Sequence, residues 1–334
     1  MSFSKIEWCD FTLNILTGCL HGCPYCYARS MTQRFCGNIK WNLAQTGKYR
    51  KEGEIYILDE PFLDESGQQV VYPFGFAPTF HKYRFGCLDR MKMGQRVFVG
   101  AMADVFGDWV PESVIKDIFR ECEDHPKNSY IFLTKNPKRY SELELPDKPN
   151  YFYGTSVTCP DDFGRLDLLP KAGMRFVSFE PLLADISAPL LSDIKNGARR
   201  GNLDWIIAGA ETGRKKGKIV PERSWISAVE EYAEHWDIPI FMKDSLIPIV
   251  GKENMKCESP ARLLEKPLSD KITAKRTVKC KGCGRIFRKK MMVIVTARAK
   301  ERGKSTTLSY FCGSCFKNWC IENGFEDPEL EAEG

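Results

Sequence analysis

A series of short apolar runs, each ending on small or polar residues, limits most strongly what this chain can fold into. The runs are rich in Val, Ile and Phe, and amphipathic, acid-rich stretches lie between several of them. Continuous apolar runs of this length are typical of strands that are buried on both faces of a parallel sheet. They are RVFVGAMAD (96–104), YIFLTKNP (130–137), YFYGTSVT (151–158), MRFVSFEPL (174–182), DWIIAGAETG (204–213) and IPIFMKDS (238–245).

Together with the segment LNILTG, these runs give about seven β units. The stretches PESVIKDIFRECEDH and PERSWISAVEEYAEHW predict helices between them, with Pro111 and Pro221 at the first turns. This alternation predicts the α/β class, as a partial TIM-type (β/α) barrel of about six or seven units. An open doubly wound sheet is the alternative.

The order of these segments also predicts the domains. The barrel is expected over residues 1–250, with an insertion at about 41–92 that does not fit the alternation. Residues 251–277 are expected to form a linker, and residues 278–324 a small zinc-ribbon-like domain. The acid-rich residues 325–334 predict a disordered tail.

Composition limits the class of protein. A chain of 334 residues with 43% hydrophobic residues can bury a large core. The N-terminal sequence lacks the apolar segment of a secretory signal, and no apolar run approaches the roughly 20 residues that cross a bilayer. We therefore expect a soluble, cytoplasmic protein with no membrane partner. Its 14 cysteines then favour metal binding over disulfides.

Three cysteines lie close together in the sequence GCLHGCPYCY, in the spacing CxxxCxxC. Cys19, Cys23 and Cys26 supply soft thiolate ligands for zinc or an iron–sulfur cluster. Three ligands leave one coordination position open, which suits a metal that binds a substrate or cofactor directly. A structural zinc is the alternative, with His21 as the nearest fourth ligand. Tyr25, just before the last cysteine, is expected to shield the metal from water.

Two CxxC pairs form a second cysteine cluster near the C-terminus. Four thiolates complete a tetrahedral Zn²⁺ site, and the 28 residues between the pairs can supply two strands joined by a basic turn, as in a zinc ribbon. An auxiliary iron–sulfur cluster is the alternative. The four ligands are Cys280, Cys283, Cys312 and Cys315.

The basic charge of the chain is concentrated around this second cluster. The net charge of the chain is only +5, whereas residues 271–320 carry 14 Lys or Arg and a single acid, Glu301. Basic residues interspersed with Phe287, Tyr310 and Phe311 favour contact with nucleic acid, with binding that weakens as salt rises. We therefore expect DNA or RNA as a partner, and the alternative is a solvated surface or an anchor for the acidic tail that follows.

Polar residues follow the apolar runs directly. In parallel βα folds the reactive side chains gather at the carboxyl ends of the strands, so these residues are the candidates for catalysis and binding. Capping or ion pairing at the barrel rim is their structural alternative. They are Asp104, Lys135, Ser156, Glu180, Glu211 and Lys243.

The cysteine spacing, the aromatic residue before the last cysteine and the place after a first strand resemble the radical S-adenosylmethionine superfamily. More closely, the chain resembles a phage-associated, radical-SAM-like family of unknown function, over about residues 6–245. The segments that carry this resemblance are WCDFTLNILTGC, CPYCYA, FVGAMADVFGDWVP, FLTKNPKRY, GTSV, FVSFEPLL, DWIIAGAETG and FMKD.

The resemblance implies a [4Fe–4S] cluster on Cys19, Cys23 and Cys26, with S-adenosylmethionine bound to the fourth iron. An electron from an external donor would cleave this cofactor to methionine and a 5′-deoxyadenosyl radical, which removes a hydrogen atom from a substrate. Whether a partner protein takes part is left open.

The resemblance also implies roles for the strand-end residues. The usual GGE sequence is absent, and Gly100 to Asp104 occupy its place, so Asp104 becomes the candidate contact for the methionine amine. Ser156 is the candidate for the ribose, and Glu180 is a further cofactor candidate. The remaining three, which are substrate or acid/base candidates, are Lys135, Glu211 and Lys243.

The sequence thus predicts a radical S-adenosylmethionine enzyme that modifies or repairs a nucleic acid base. The same chemistry on a protein or small-molecule substrate is one alternative. The other is a non-catalytic nucleic-acid-binding protein that keeps its cluster for structure.

Overall fold

A computed structural model describes residues 4–90, 94–212, 218–261 and 263, and the backbone of residues 277–279, 286–288, 293–297 and 307–311. The chain divides into two compact units, Met1–Lys266 and Pro267–Gly334. The ligands predicted for the zinc ribbon, Cys280, Cys283, Cys312 and Cys315, lie outside the described residues, so that metal site stays a prediction.

The helices and strands are numbered here in chain order. The strands are β1 (Phe11–Leu13), β2 (Leu16–Thr17), β3 (Arg50–Glu52), β4 (Ile55–Leu58), β5 (Thr79–His81), β6 (Arg96–Val99), β7 (Ser129–Thr134), β8 (Tyr151–Ser156), β9 (Met174–Phe179), β10 (Trp205–Ala208), β11 (Ile240–Met242), β12 (Thr277–Lys279), β13 (Ile286–Arg288), β14 (Val293–Ala297) and β15 (Thr307–Phe311). The helices are α1 (Tyr27–Arg34), α2 (Ile39–Ala44), α3 (Glu112–Glu123), α4 (Ser187–Lys195), α5 (Arg223–His235) and α6 (Ile247–Val250).

Seven of the described strands form one parallel sheet in the order β1-β6-β7-β8-β9-β10-β11. The six strands from β6 to β11 lie within the six predicted apolar runs or begin one residue before them. Every pairing in this sheet is parallel. The fold is therefore α/β with a parallel sheet, and its curled form is compatible with a partial barrel.

The two faces of the sheet bury different clusters. On the outer face Val177 and Phe179 of β9 pack in one cluster with Ile226 of α5. On the inner face Phe98 of β6 and Phe241 of β11 belong to a single cluster, although four strands separate them in the sheet. The sheet therefore curls around its inner face. Each buried aromatic side chain of this kind contributes on the order of 2–3 kcal/mol.

The connections between strands are only partly helical. Helices α3 and α5 occupy the two stretches that predict helices. Between β7 and β8, and between β8 and β9, the chain instead forms the 3₁₀ segments Pro137–Glu142 and Pro160–Leu168. Within the described ranges, no helix combines the length and the apolar composition that crossing a membrane requires.

A second sheet, in the order β2-β5-β4-β3, lies between β1 and β6 in the chain. The segment LNILTG was expected to be the first barrel strand. In the structure the barrel strand is β1, which ends at Leu13, and β2 pairs antiparallel with β5. Thr17 Oγ1 lies 2.8 Å from Nε2 of the buried His81, which ties the two segments together. Burial holds the pKa of His81 well below its usual range.

The first part of the predicted linker packs against the amino ends of β10 and β11. Trp205 Nε1 donates to the Glu258 carbonyl at 3.1 Å, and Glu258 N donates to the Ile240 carbonyl at 2.9 Å. Leu263 is buried in the inner cluster. Residues up to Leu263 therefore belong to the first unit.

Gly154 on β8 leaves room for the Phe176 ring on the inner face. A Cβ atom at position 154 would lie 2.4 Å from the nearest atoms of that ring. We expect Gly154→Ala to lower the free energy of unfolding by about 1–3 kcal/mol, because overpacking forces the ring to move. Urea unfolding measures the change. In Gly164→Ala, the control, the new Cβ meets nothing within 4 Å, so equal stabilities would contradict this packing.

Candidate functional site

A cavity of about 260 Å³ opens at the carboxyl ends of the sheet strands. The apolar side chains of the inner cluster cover the inner face of the sheet below the cavity. At the floor of the cavity the residues of this face change from apolar to polar. All the barrel residues that the sequence predicts for the site line this cavity. They are Cys19, Cys23, Tyr25, Cys26, Asp104, Lys135, Ser156, Glu180, Glu211 and Lys243.

The alternation of side chains along each strand explains why so many of these residues meet. Successive residues of a strand point to opposite faces, so a step of two residues keeps a side chain on the inner face. At the ends of five strands one or two such steps lead from a residue of the inner cluster (Leu133, Phe152, Phe176, Ile207 or Phe241) to a polar residue in the cavity. The steps run from Leu133 to Lys135, from Phe152 through Gly154 to Ser156, from Phe176 through Ser178 to Glu180, from Ile207 through Gly209 to Glu211, and from Phe241 to Lys243.

The cysteine loop is held between β2 and α1 by a tight turn. Gly18 has φ +85°, and a Cβ there would lie 2.3 Å from the Ala77 carbonyl oxygen, so only glycine fits. Gly18 N donates to the Met102 carbonyl at 2.8 Å, which fixes the loop beside the end of β6. Cys26 is the N-cap of α1, so the last cysteine sits where the helix begins.

The three thiols are half-buried on one wall of the cavity. Burial raises the pKa of Cys19 to about 12, and the nearby charges of Asp104, Cys23 and Cys26 add to the rise. A hydrogen bond from the backbone N–H of His21 opposes it. The metal-free Cys19 is therefore a thiol at neutral pH, and metal binding would release its proton.

Whether an iron–sulfur cluster fits the site depends on the ligand atoms that this wall offers. Across the described part of the chain, no three His, Cys, Asp or Glu side chains are arranged as a metal-ligand group. The three thiols nevertheless line the same cavity, and the charges of Cys23 and Cys26 add to the rise in the pKa of Cys19. Three soft ligands, with no fourth metal-binding side chain grouped with them in the described residues, fit an iron–sulfur cluster with one open iron better than a closed zinc site.

Asp104 connects the cysteine loop to the end of β7. Its Oδ2 lies 2.7 Å from His21 Nε2 and accepts from Lys135 N at 2.9 Å. Its Oδ1 accepts from Thr134 Oγ1 at 2.7 Å and from Phe106 N at 3.0 Å. The carboxylate is buried and has four partners, so it holds these groups in place and has little capacity left for a ligand amine.

Lys243 and Glu180 form an ion pair on the opposite side of the site. The Lys243 ammonium hydrogen-bonds to Glu180 Oε1 and lies 3.7 Å from Glu7 Oε2. Burial alone would lower the pKa of Lys243, but the two carboxylates outweigh it and the pKa is raised. Gly209 makes room for the pair, since a Cβ there would lie 3.2 Å from both side chains.

Lys135 lies in a different environment. Its ammonium is 5.3 Å from the centre of the Tyr25 ring, and no carboxylate within the described ranges forms an ion pair with it. Burial lowers the pKa of Lys135, and the nearby charges of Cys23, Asp162 and Asp104 only partly offset that effect. Tyr25 belongs to the cysteine loop, so this contact joins the loop to the end of β7, and its shielding of the metal stays a prediction.

Glu211 is a buried carboxylate at the end of β10. It is 8% exposed, and its Oε2 accepts a hydrogen bond from Ile219 N at 3.0 Å. No ion pair to Glu211 is present in the described residues. It is therefore a cavity carboxylate that retains acceptor capacity.

Several site residues were missed by the sequence prediction. Ser178 lines the cavity and lies on the inner-face step between Phe176 and Glu180, so strand alternation is the signal that identifies it. His21 was considered only as a zinc ligand, whereas its ring pairs with Asp104 and packs edge-on against Trp109 at 4.9 Å. The sequence carries no local signal for these partners.

Comparison with known protein families identifies the family to which the chain belongs. Residues 3–272, which include the whole described part of the cavity, match the family described as "Protein of unknown function (DUF5131)". The chain belongs to this family. Searches among curated proteins and among solved structures found no match. Membership of DUF5131 supplies no activity, so the function has to be argued from the site.

Proposed function

We propose that this DUF5131 member is a radical S-adenosylmethionine enzyme. The observation that supports the proposal is that the CxxxCxxC thiols and the polar strand-end side chains line one cavity. Cys19, Cys23 and Cys26 would hold three irons of a [4Fe–4S] cluster and leave the fourth for S-adenosylmethionine. When bound, this pair of cofactors supplies reductive cleavage of the sulfonium and hydrogen-atom removal from the substrate.

The side chains of the cavity have separate roles in this proposal. Tyr25 covers the cysteine loop beside Lys135 and limits the access of water. Ser156 is the candidate for a ribose hydroxyl. Glu211 keeps free acceptor capacity and is the candidate base for a substrate proton. Glu180, held by Lys243, is a fixed negative charge that would face a cationic cofactor.

The charge of the chain supports a nucleic acid substrate. Between Asp10 and Glu52 there are six basic residues and no acidic one. Arg29, Arg34 and Lys40 belong to this stretch, and within the described ranges none has a carboxylate partner. Helix α1 also begins at the cavity wall. A basic surface beside the cavity would attract phosphates, in addition to the basic residues 271–320.

The second cysteine cluster keeps its predicted role in the proposal. Cys280, Cys283, Cys312 and Cys315 would bind Zn²⁺, or an auxiliary iron–sulfur cluster, in a small domain that presents the nucleic acid. The basic composition of this segment supports that role.

Oxygen-free reconstitution tests the central proposal. We expect the full chain, supplied with iron and sulfide, to bind about four irons at the N-terminal site. Addition of dithionite and S-adenosylmethionine should then release 5′-deoxyadenosine, measured by liquid chromatography and mass spectrometry. Zinc alone in oxygen-free protein, with no iron or sulfide bound, would contradict the proposal.

The nucleic acid partner is tested by the salt dependence of binding. We expect neutralising Arg29, Arg34 and Lys40 together to lower the slope of log K against log salt by about 2–3, because each lost phosphate contact removes about one unit. Binding to labelled single-stranded DNA and RNA is measured by fluorescence anisotropy. A second variant neutralises Arg288, Lys289, Lys290 and Lys304 and reports on the C-terminal segment.

The matched control for this experiment makes the same change in net charge elsewhere. It replaces Lys116, Lys138 and Lys195, which are exposed on α3, on the 3₁₀ segment after β7 and on α4. An equal loss of slope in the control would show that only net charge matters. An unchanged slope in both test variants would remove nucleic acid from the proposal.

A further inference from the structure

Lys135, Ser156 and Ser178 lie in one row across three neighbouring strands. Thr134 of β7 pairs with Thr155 of β8, so Lys135 is level with Ser156. Ser156 in turn pairs with Ser178 of β9. Neighbouring strands are about 4.8 Å apart, so the row spans roughly 10 Å of the cavity floor. All three side chains line the cavity.

The two serine hydroxyls of this row have no hydrogen-bond partner in the part of the chain that the structure describes. Ser156 is 5% exposed and Ser178 is 1% exposed, yet within the described residues neither hydroxyl has a hydrogen bond. Buried hydroxyls normally have a hydrogen-bond partner, because an unpaired one costs free energy. Both hydroxyls face the cavity, so a ligand can supply the missing partners.

The Lys135 ammonium also lacks a partner of the kind that the other lysine of the cavity has, since in the described residues it forms no ion pair. Lys243 is neutralised by Glu180 and Glu7. The Lys135 ammonium lies against the face of the Tyr25 ring and forms no ion pair among the described residues, and the nearby Asp104 carboxylate already has four partners. A partly buried ammonium whose nearby charges offset its burial only in part, and which forms no ion pair among the described residues, favours an anionic ligand.

We propose that this row is a subsite for a ribosyl ligand that carries an oxyanion, with Lys135 binding the carboxylate or phosphate and Ser156 and Ser178 binding the hydroxyl groups beside it. The inference rests on the proposed function, in that the cavity is taken as the reaction site. The oxyanion has two possible sources, the carboxylate of S-adenosylmethionine and the phosphate of a nucleotide substrate.

Equilibrium binding to the reconstituted full chain, without reductant, tests the subsite. The probes are S-adenosylmethionine, adenosine 5′-monophosphate and 5′-methylthioadenosine, which keeps the ribose but has no oxyanion. We expect Lys135→Met to weaken at least one anionic probe by about 10- to 100-fold and the neutral probe by less than about 2-fold. Ser178→Ala should weaken anionic and neutral probes alike, by about 3- to 10-fold.

Two further variants separate charge from structure. Lys135→Arg keeps the cation and should retain the preference for the anionic probe. Lys138→Met makes the same substitution on an exposed side chain of the 3₁₀ segment after β7 and should change no affinity. The native fold of each variant is checked by circular dichroism and thermal unfolding.

The outcomes assign the source of the oxyanion or overturn the subsite. A Lys135-dependent loss for S-adenosylmethionine alone assigns the cofactor carboxylate, and a loss for adenosine 5′-monophosphate assigns a substrate phosphate. Equal effects on all three probes, no effect, or no saturable binding of any of them overturns the proposal. Sulfonium cleavage is assayed separately, with dithionite. A failure of that reaction therefore does not change the outcome of the binding experiment, which uses no reductant.

Discussion

Replacing Cys26 with alanine is expected to remove iron from the N-terminal site and to reduce 5′-deoxyadenosine formation by at least about 100-fold. Even the loss of a residue that only hydrogen-bonds to a metal ligand lowers metal affinity or activity by about 10- to 100-fold. Cys26 is one of only three thiols on the cavity wall, and the described part of the wall offers no further thiol to replace it. A cluster that already lacks one protein ligand tolerates no further loss.

Cys257→Ala is the matched control for this variant. Cys257 is exposed, lies opposite Phe241 in the middle of β11, and is not one of the residues that line the cavity. Iron and sulfide are determined chemically, and 5′-deoxyadenosine is quantified after addition of dithionite. If Cys26→Ala keeps wild-type iron and product, the radical proposal is wrong.

The C-terminal cysteines allow a second comparison within the same experiment. A chain with Cys280 and Cys283 replaced by alanine should lose the metal of the predicted second site and keep the N-terminal iron. Loss of zinc alone would support a zinc ribbon, and loss of iron would support an auxiliary cluster. This result does not bear on the N-terminal thiols.

The positions of the cavity residues could be predicted because one local rule determines them. An apolar run identifies a buried parallel strand, and the first polar residue beyond it lies at the carboxyl edge. The run ending at Met242 gives Lys243 in this way, and the run ending at Leu133 gives Thr134 and Lys135, which both line the cavity. No long-range information is needed for this step, because strand direction is shared by the whole sheet.

The partners of the same residues could not be predicted, because they come from distant parts of the chain. Lys135 and Lys243 follow similar runs and were given the same roles. Among the described residues, however, Lys243 has two carboxylate partners, 63 and 236 residues away in sequence, and Lys135 has none. Those partners depend on which strands are neighbours and on where the N-terminal segment crosses the sheet. The sequence pattern contains neither piece of information.

The first strand shows a similar limit. LNILTG has the composition of a buried strand, and part of it is one, but β2 pairs with β5 of the second sheet. Composition predicts that a segment is extended and buried, while the choice of partner strand is a tertiary contact. The preceding segment, β1, pairs with β6 and provides the edge of the parallel sheet.

Asp104→Ala is expected to lower the free energy of unfolding by about 3–5 kcal/mol, because it leaves buried donors without an acceptor, each worth 1–3 kcal/mol before local relaxation. Those donors are the hydroxyl of Thr134 and the amides of Phe106 and Lys135, and His21 also loses its partner. Urea unfolding of the full chain measures the loss, and the bound iron should fall with it because His21 lies inside the cysteine loop.

Asp108→Ala is the matched control, since this exposed carboxylate in the same segment accepts one hydrogen bond, from Asn136 Nδ2 at 2.7 Å. Its loss should cost less than about 1 kcal/mol. The two variants also separate the roles open to Asp104. A carboxylate that positions the loop has to destabilise the protein when it is removed, whereas one that contacts the methionine amine does not. An Asp104→Asn protein with wild-type stability and no affinity for S-adenosylmethionine would therefore assign Asp104 to the cofactor amine.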